Sequence, residues 1–160
     1  MKTSWPRVEV SIVRTFDAEH SLPLVGKAER HRHSYWLECG WHHEIRPDYG
    51  CTKAMQDMGK DIDPIVERIR GAYLNDVLPV PPTAEMLACW ILVQLPPYWD
   101  YVMIRAYSGF MCKIERKYMT NAWHQKLRSS SPPLEERKRI KTIVRDATKQ
   151  HYRKLRASAP

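Results

Sequence analysis

Two runs of alternating character, residues 8–20 and 31–45, constrain this chain more than any other feature. A period of two is what a strand with one buried face demands. In the first run Val8, Val10, Ile12, Phe16, Ala18 and His20 fall on one side, interrupted only by Arg14. In the second, His31, His33, Tyr35, Leu37, Cys39 and Trp41 share a side, while Arg32, Ser34 and Glu38 fall on the other. Both inward faces therefore end in imidazoles. A histidine pair spaced by two fits ordinary strand histidines when it stands alone. Three imidazoles aimed inward need more: a buried polar ring requires a hydrogen-bond partner or a metal. Three imidazole nitrogens with one position left open are a common catalytic zinc set. The pattern favours zinc at His20, His31 and His33.

The rest of the chain divides readily. Its 160 residues, 43% hydrophobic, suit one domain with an appendage. No apolar run approaches the roughly 18 residues of a membrane span. The opening stretch MKTSWPRVEV also lacks a signal peptide's apolar core. The expectation is a cytoplasmic protein with no membrane partner. Four scattered cysteines without a C-x-x-C pair read as reduced thiols. Residues 21–32 read as a polar loop. Asp63-Pro64 reads as a helix start, and Ile62, Ile65, Val66, Ile69 and Tyr73 give a helical stripe. Thr83 is a plausible N-cap for a helix over 84–95, stopped by Pro96-Pro97 and apolar on most sides, hence buried. Residues 101–107 and 110–116 read as two strands around a tight turn at Ser108-Gly109.

The element order is thus β-β-α-α-β-β, an α+β domain over residues 1–117. Residues 118–131 lack periodicity and read as a linker ending in Ser and Pro. Residues 132–160 then carry a C-terminal basic amphipathic helix with a stripe of Ile140, Ile143, Val144, Ala147, His151 and Leu155. From Lys113 onward there are 14 Lys and Arg against 4 Asp and Glu, so the net charge of +8 belongs to the C-terminal third.

Taken together, Phe16-Asp17-Ala18-Glu19-His20-Ser21-Leu22, His31-Arg32-His33-Ser34-Tyr35, Tyr73-Leu74-Asn75-Asp76 and Pro82-Thr83-Ala84-Glu85-Met86-Leu87-Ala88 resemble the 6-pyruvoyl and 6-carboxy-tetrahydropterin synthases. The resemblance spans roughly residues 8–117. It implies the tunnelling fold, or T-fold: a four-stranded antiparallel sheet with two helices on one side, assembled through its sheets into trimers or hexamers. It also implies the role of zinc ligand for His20, His31 and His33.

Three departures stand beside the matches. The family's catalytic cysteine precedes the histidine pair, and residues 22–30 hold none. Its Asp-His pair aligns with Arg70 and Gly71. Its pterin-anchoring Glu aligns with Ala106, allowing a slip of one residue. A site that reads a substrate by hydrogen bonds discriminates poorly once the partner is lost.

Three functions follow as expectations. The first is a zinc-dependent 6-carboxy-tetrahydropterin synthase-like lyase on the 7-deazaguanine or queuosine-precursor route. Here Thr83 and Glu85 read the heterocycle and Tyr35 is a pocket donor, while Asp57 and Asp76 are candidate acids or bases. Capping is the competing role for Thr83 and Glu85, core packing for Tyr35, and turn or cap duty for the two aspartates. The second is a different zinc-dependent hydrolase or lyase acting on a pterin or nucleotide. The third is a non-catalytic T-fold assembly protein whose basic tail engages nucleic acid or protein. Its competing reading is a tail helix packed on its own oligomer.

Overall fold

The computed structural model describes residues 5–46, 48, 50–51, 55–106 and 109–128. The basic helix expected over 132–160, and Tyr107-Ser108 of the expected tight turn, lie outside the described residues.

Alternation produces two long strands, β1 (Arg7–Leu22) and β2 (Lys27–Glu44), which pair as one antiparallel hairpin. Only Pro23–Gly26 lies outside the two strands: Pro23–Val25 form a single 3-10 turn, and Gly26 at φ 80° turns the chain in the left-handed region open to glycine. The loop expected over 21–32 is therefore mostly strand. Strand β3 (Tyr101–Ala106) pairs with β2, and β4 (Met111–Glu115) pairs with β3, giving a fully antiparallel sheet in the order β1-β2-β3-β4. Tyr35 opposes Ala106, where β3 ends, so the N-terminal half of β2 runs on beyond its β3 neighbour.

Helix α1 (Met55–Ile69) begins well before Asp63-Pro64, the expected start, and Pro64 sits inside it. The buried stripe explains this, since Met58, Ile62, Val66 and Ile69 recur on one face from the first turn onward. Pro64 lies on the exposed face, where a lost amide leaves its carbonyl partner open to water. A single turn, α2 (Leu74–Val77), follows, and then α3 (Ala84–Gln94), capped by Thr83, whose Oγ1 accepts the Met86 amide at 3.2 Å. Leu87, Trp90, Ile91 and Leu92 of α3 are almost fully buried, as expected of a helix apolar on most sides.

α1 packs on β1, while α3 lies across β3 and β4. Ile12, Phe16, Leu37, Cys39 and Ile104 meet the helices from the sheet. Arg116 closes the C-terminal end of α3: its guanidinium donates to the carbonyls of Leu92 (2.8 Å), Pro96 (3.1 Å) and Trp99 (2.7 Å).

Beyond β4 the expected linker is replaced, over part of its length, by α4 (Asn121–Arg128). Leu127 is fully buried there, and its carbonyl accepts from Gln94 Nε2 at 3.4 Å, so α4 packs on α3 and the folded unit reaches at least this residue. The short helix carries few apolar residues, which is why it lacked a readable stripe.

Among the described residues the opposite sheet face carries no helix, and Val13, Trp36 and Met111 are exposed on it. One aromatic on this face is nevertheless buried. Tyr101 lies flat over Gly40, with its hydroxyl 2.5 Å from Glu9 Oε1 and 2.9 Å from Glu38 Oε1, sharing one proton between two carboxylates. Lys113 Nζ stands 3.8 Å from its ring centre. Hydrogen bonding to Tyr101 holds the Glu9 carboxyl below its ordinary range.

Candidate metal centre

Register places the three histidines together. His20 opposes His31 directly, Ala18 opposes His33, and alternation turns all three rings to the helix side. Their ring centres lie 4.5 Å (20–31), 4.9 Å (20–33) and 4.8 Å (31–33) apart, and one nitrogen from each falls within 4.8 Å of the others. No second cluster of three such donor residues occurs among the described residues.

The hydrogen bonds select the nitrogen that points inward. His20 Nδ1 donates to the Pro82 carbonyl at 2.6 Å, and His31 Nδ1 donates to the Glu29 carbonyl at 2.8 Å. With Nδ1 protonated, Nε2 keeps its lone pair, the arrangement usual for a ligating imidazole. His20 Nε2 is buried without a hydrogen-bond partner, a costly state for a neutral polar atom. Burial, opposed by the Pro82 hydrogen bond and helped by His31 and His33, pushes the His20 pKa down. Burial, with His31 and Lys27, does the same for His33. Both rings are therefore neutral near pH 7 and competent as ligands. Three imidazoles with one orphaned lone pair fit a zinc ion bound with one further position open.

The pocket around this cluster has a volume of about 380 Å³ and is walled by Tyr35, Thr83 and Glu85, with Lys27, Ala106 and Phe110. Burial pushes the Tyr35 hydroxyl up to about 12, so it stays a donor. Thr83 Oγ1 is occupied as an acceptor by its cap bond, which leaves its proton to donate. Glu85 stands exposed in the first turn of α3 and is the one carboxylate among the described wall residues.

The other two candidates lie elsewhere. Asp57 holds Lys60 at 2.7 Å on α1, and Asp76 is exposed on α2; neither lines the pocket. Ala106 is on the pocket wall, whereas its neighbour Arg105 stacks on Trp36 across the open face. Arg70 pairs with Glu67 and borders a separate groove of about 800 Å³ that meets the pocket at Tyr35, Ala106 and Phe110. All four cysteines are free, and none lines the pocket.

Sequence reasoning missed Asn75, which binds the backbone beside His20. Its place in the Tyr-Leu-Asn-Asp stretch was the available signal.

An antiparallel four-stranded sheet, helices on one face and a histidine cluster at the sheet's end together define a T-fold protein with a metal-type donor set. The chain belongs to the 6-pyruvoyl tetrahydropterin synthase family, whose model matches residues 9–108. Among solved structures it resembles the Caenorhabditis elegans 6-pyruvoyl tetrahydropterin synthase, at 17% identity and TM-score 0.63 over 70% of this chain and 97% of that one. It also resembles the Plasmodium falciparum synthase, at 14% identity and TM-score 0.56 over 69% of this chain and 98% of that one. These likenesses speak to the fold. No curated protein matches the chain. Among the described residues, no helix is long and apolar enough to cross a membrane.

Proposed function

We propose that this chain is a cytoplasmic, zinc-dependent lyase of the tetrahydropterin synthase type, acting on a pterin on the queuosine-precursor route. The carrying observation is the orphaned, buried Nε2 of His20 inside a three-imidazole cluster, in a chain of this family. Zinc bound there would polarise a substrate hydroxyl or carbonyl. Glu85 accepts from the N–H edge of the heterocycle, the task for which a carboxylate is suited and Ala106 is not. Tyr35 Oη and Thr83 Oγ1 donate to its acceptors. Lys27 at the rim pairs with a phosphate leaving group. Among the described residues nothing covers the second sheet face or pairs with the outer edge of β4, which supports a homo-oligomer.

A second reading is favoured by one observation: the described pocket wall carries no cysteine and no Asp-His pair. In this reading the metal is retained while the reaction is a different hydrolysis or elimination on a pterin or nucleotide. Nothing among the described residues supports nucleic-acid binding.

Two measurements test the proposal. Metal analysis should find about one zinc per chain in the unaltered protein and a loss of it in His31→Ala and His33→Ala. Retained stoichiometric zinc in both variants would contradict the ligand set. Incubation of zinc-loaded protein with dihydroneopterin triphosphate should release triphosphate and yield a new pterin. Absence of turnover with zinc bound would leave the second reading in its place.

A further inference from the structure

The backbone on both sides of His20 is held from outside the sheet. Gly71 N donates to Asp17 O at 2.6 Å, and Glu19 N donates to Ala72 O at 2.9 Å, so segment 71–73 runs along the outer edge of β1 as a short parallel partner. That partner stops before the edge does, and a side chain continues it. Ser21 N donates to Asn75 Oδ1 at 2.9 Å, and Asn75 Nδ2 donates back to Ser21 O at 3.0 Å. A carboxamide carries the same donor and acceptor as a peptide group, and here it takes the place of the next residue in the ladder.

The position is critical because regular pairing with β2 fails at the same point. The register runs residue by residue from Arg7–Glu44 to His20–His31, then jumps to Leu22–Lys27. Ser21 thus has no paired residue on β2, and it is fully buried. Left alone, its amide and carbonyl would be unsatisfied and the strand free to twist about His20. Tyr73 adds a bond from its hydroxyl to Ser21 Oγ at 2.6 Å.

We infer that Asn75 is a positioning residue: by closing the ladder at Ser21, it fixes the backbone that aims His20 Nε2 into the histidine cluster. The inference rests on the metal reading above. It explains why an asparagine, rather than the adjacent Asp76, is turned to the site. An aspartate would accept the Ser21 amide but set a carboxylate oxygen against the Ser21 carbonyl.

The test uses the full chain with Asn75→Asp and Asn75→Ala, and with Leu74→Ala as a control. Leu74 is fully buried on the same turn, so its truncation loosens the fold without touching Ser21. Zinc affinity, measured by competition with a chromophoric chelator at a temperature where each variant is folded, should fall about 10- to 100-fold in the Asn75 variants. It should stay within about twofold in Leu74→Ala, a spread below the loss expected of an outer-shell partner. The visible spectrum of the Co²⁺-loaded Asn75 variants should also change shape, which a general loss of stability would not cause. Unchanged affinity in both Asn75 variants, or an equal loss in Leu74→Ala, would overturn the inference. If the unaltered protein binds no zinc, the metal reading fails separately. The clamp is then read in the metal-free protein from the ¹⁵N shifts of His20. A protected Nδ1–H that survives in both Asn75 variants would refute it, and its loss would support it.

Discussion

Gly40→Ala should destabilise this protein through one aromatic ring. A Cβ at Gly40 would fall within 2.5 Å of both Cε1 and Oη of Tyr101, closer than non-bonded atoms approach. The glycine does not have a positive φ, so the backbone itself accepts alanine. The ring must therefore move, and it is anchored: 1% exposed, with its hydroxyl shared between Glu9 and Glu38 and Lys113 on its face. Displacing it forfeits a hydrogen bond to a charged acceptor, about 1.5 to 3 kcal/mol. Glu9 is close to half exposed, which puts the loss toward the lower end of that range. The cation–π contact adds about 0.5 to 1 kcal/mol. Against these losses, removing glycine from a strand returns about 0.5 to 1 kcal/mol. The net is a loss of about 2 kcal/mol, or a fall in Tm of roughly 4 to 8 °C for a chain of this size. Urea titration should show a lower midpoint at an unchanged slope. The same substitution made in Tyr101→Ala should cost nothing, because the obstructing ring is gone. An equal loss in both backgrounds, or none in the native one, would refute the reasoning.

Other consequences can be measured in the same way. For the metal-free protein, the lowered pKa values of His20 and His33 mean that the unfolded chain, with ordinary values near 6.5, binds more protons. Their contribution is therefore full above about pH 6.5 and is lost as pH falls through the folded values. Urea midpoints should drop on acidification from pH 7.5 to 5, and drop less in a His20→Gln, His33→Gln double variant. Arg116→Met strips donors from four part-buried carbonyls, and a loss of about 2 to 4 kcal/mol is expected by denaturant titration. Arg116→Lys should recover little of that, because an ammonium cannot span the same acceptors. Leu127→Ala should cost about 2 to 3 kcal/mol, since its side chain is the buried anchor of α4 on α3; an unchanged Tm would place α4 outside the cooperative unit. Glu85→Gln should weaken pterin binding, measured by fluorescence quenching, while leaving zinc content intact.

What could be read in advance was whatever a local period encodes. Alternation assigned Val10 and Ile12 to the face shared with His20, and Tyr35 to the face shared with His33, because strand parity needs no knowledge of the partner. The mostly apolar stretch 84–94 announced its burial in the same way. Misreadings arose where a local signal competed with a distant contact. Pro64 resembles a helix start, yet the pull of Met58 and Ile62 on the core carries α1 back to Met55. Pro23 and Gly26 suggest a long loop, although only four residues lie outside the strands, because β1 and β2 pair again at Leu22–Lys27 beyond a shift in register. The Asn75–Ser21 bonds join residues 54 apart and have no periodic trace. For the candidate site, the resemblance pointed to the donors, while the tautomers that aim them depend on carbonyls of Glu29 and Pro82 that no side-chain pattern marks.

All three histidines belong to the end of the β1–β2 hairpin that outruns β3, His20 on β1 and His31 and His33 on β2. The donor set is therefore local in the chain, with the Pro82 carbonyl and the supports from residues 71–75 arriving from further along. Loop closure within a hairpin is fast and costs little entropy compared with assembly of the whole sheet. The imidazoles can thus meet early in folding, before β3, β4 and α3 have docked. A metal captured at that stage would act as a folding template, rewarding the correct hairpin register first, since a slip of one residue would turn the imidazoles to the opposite face.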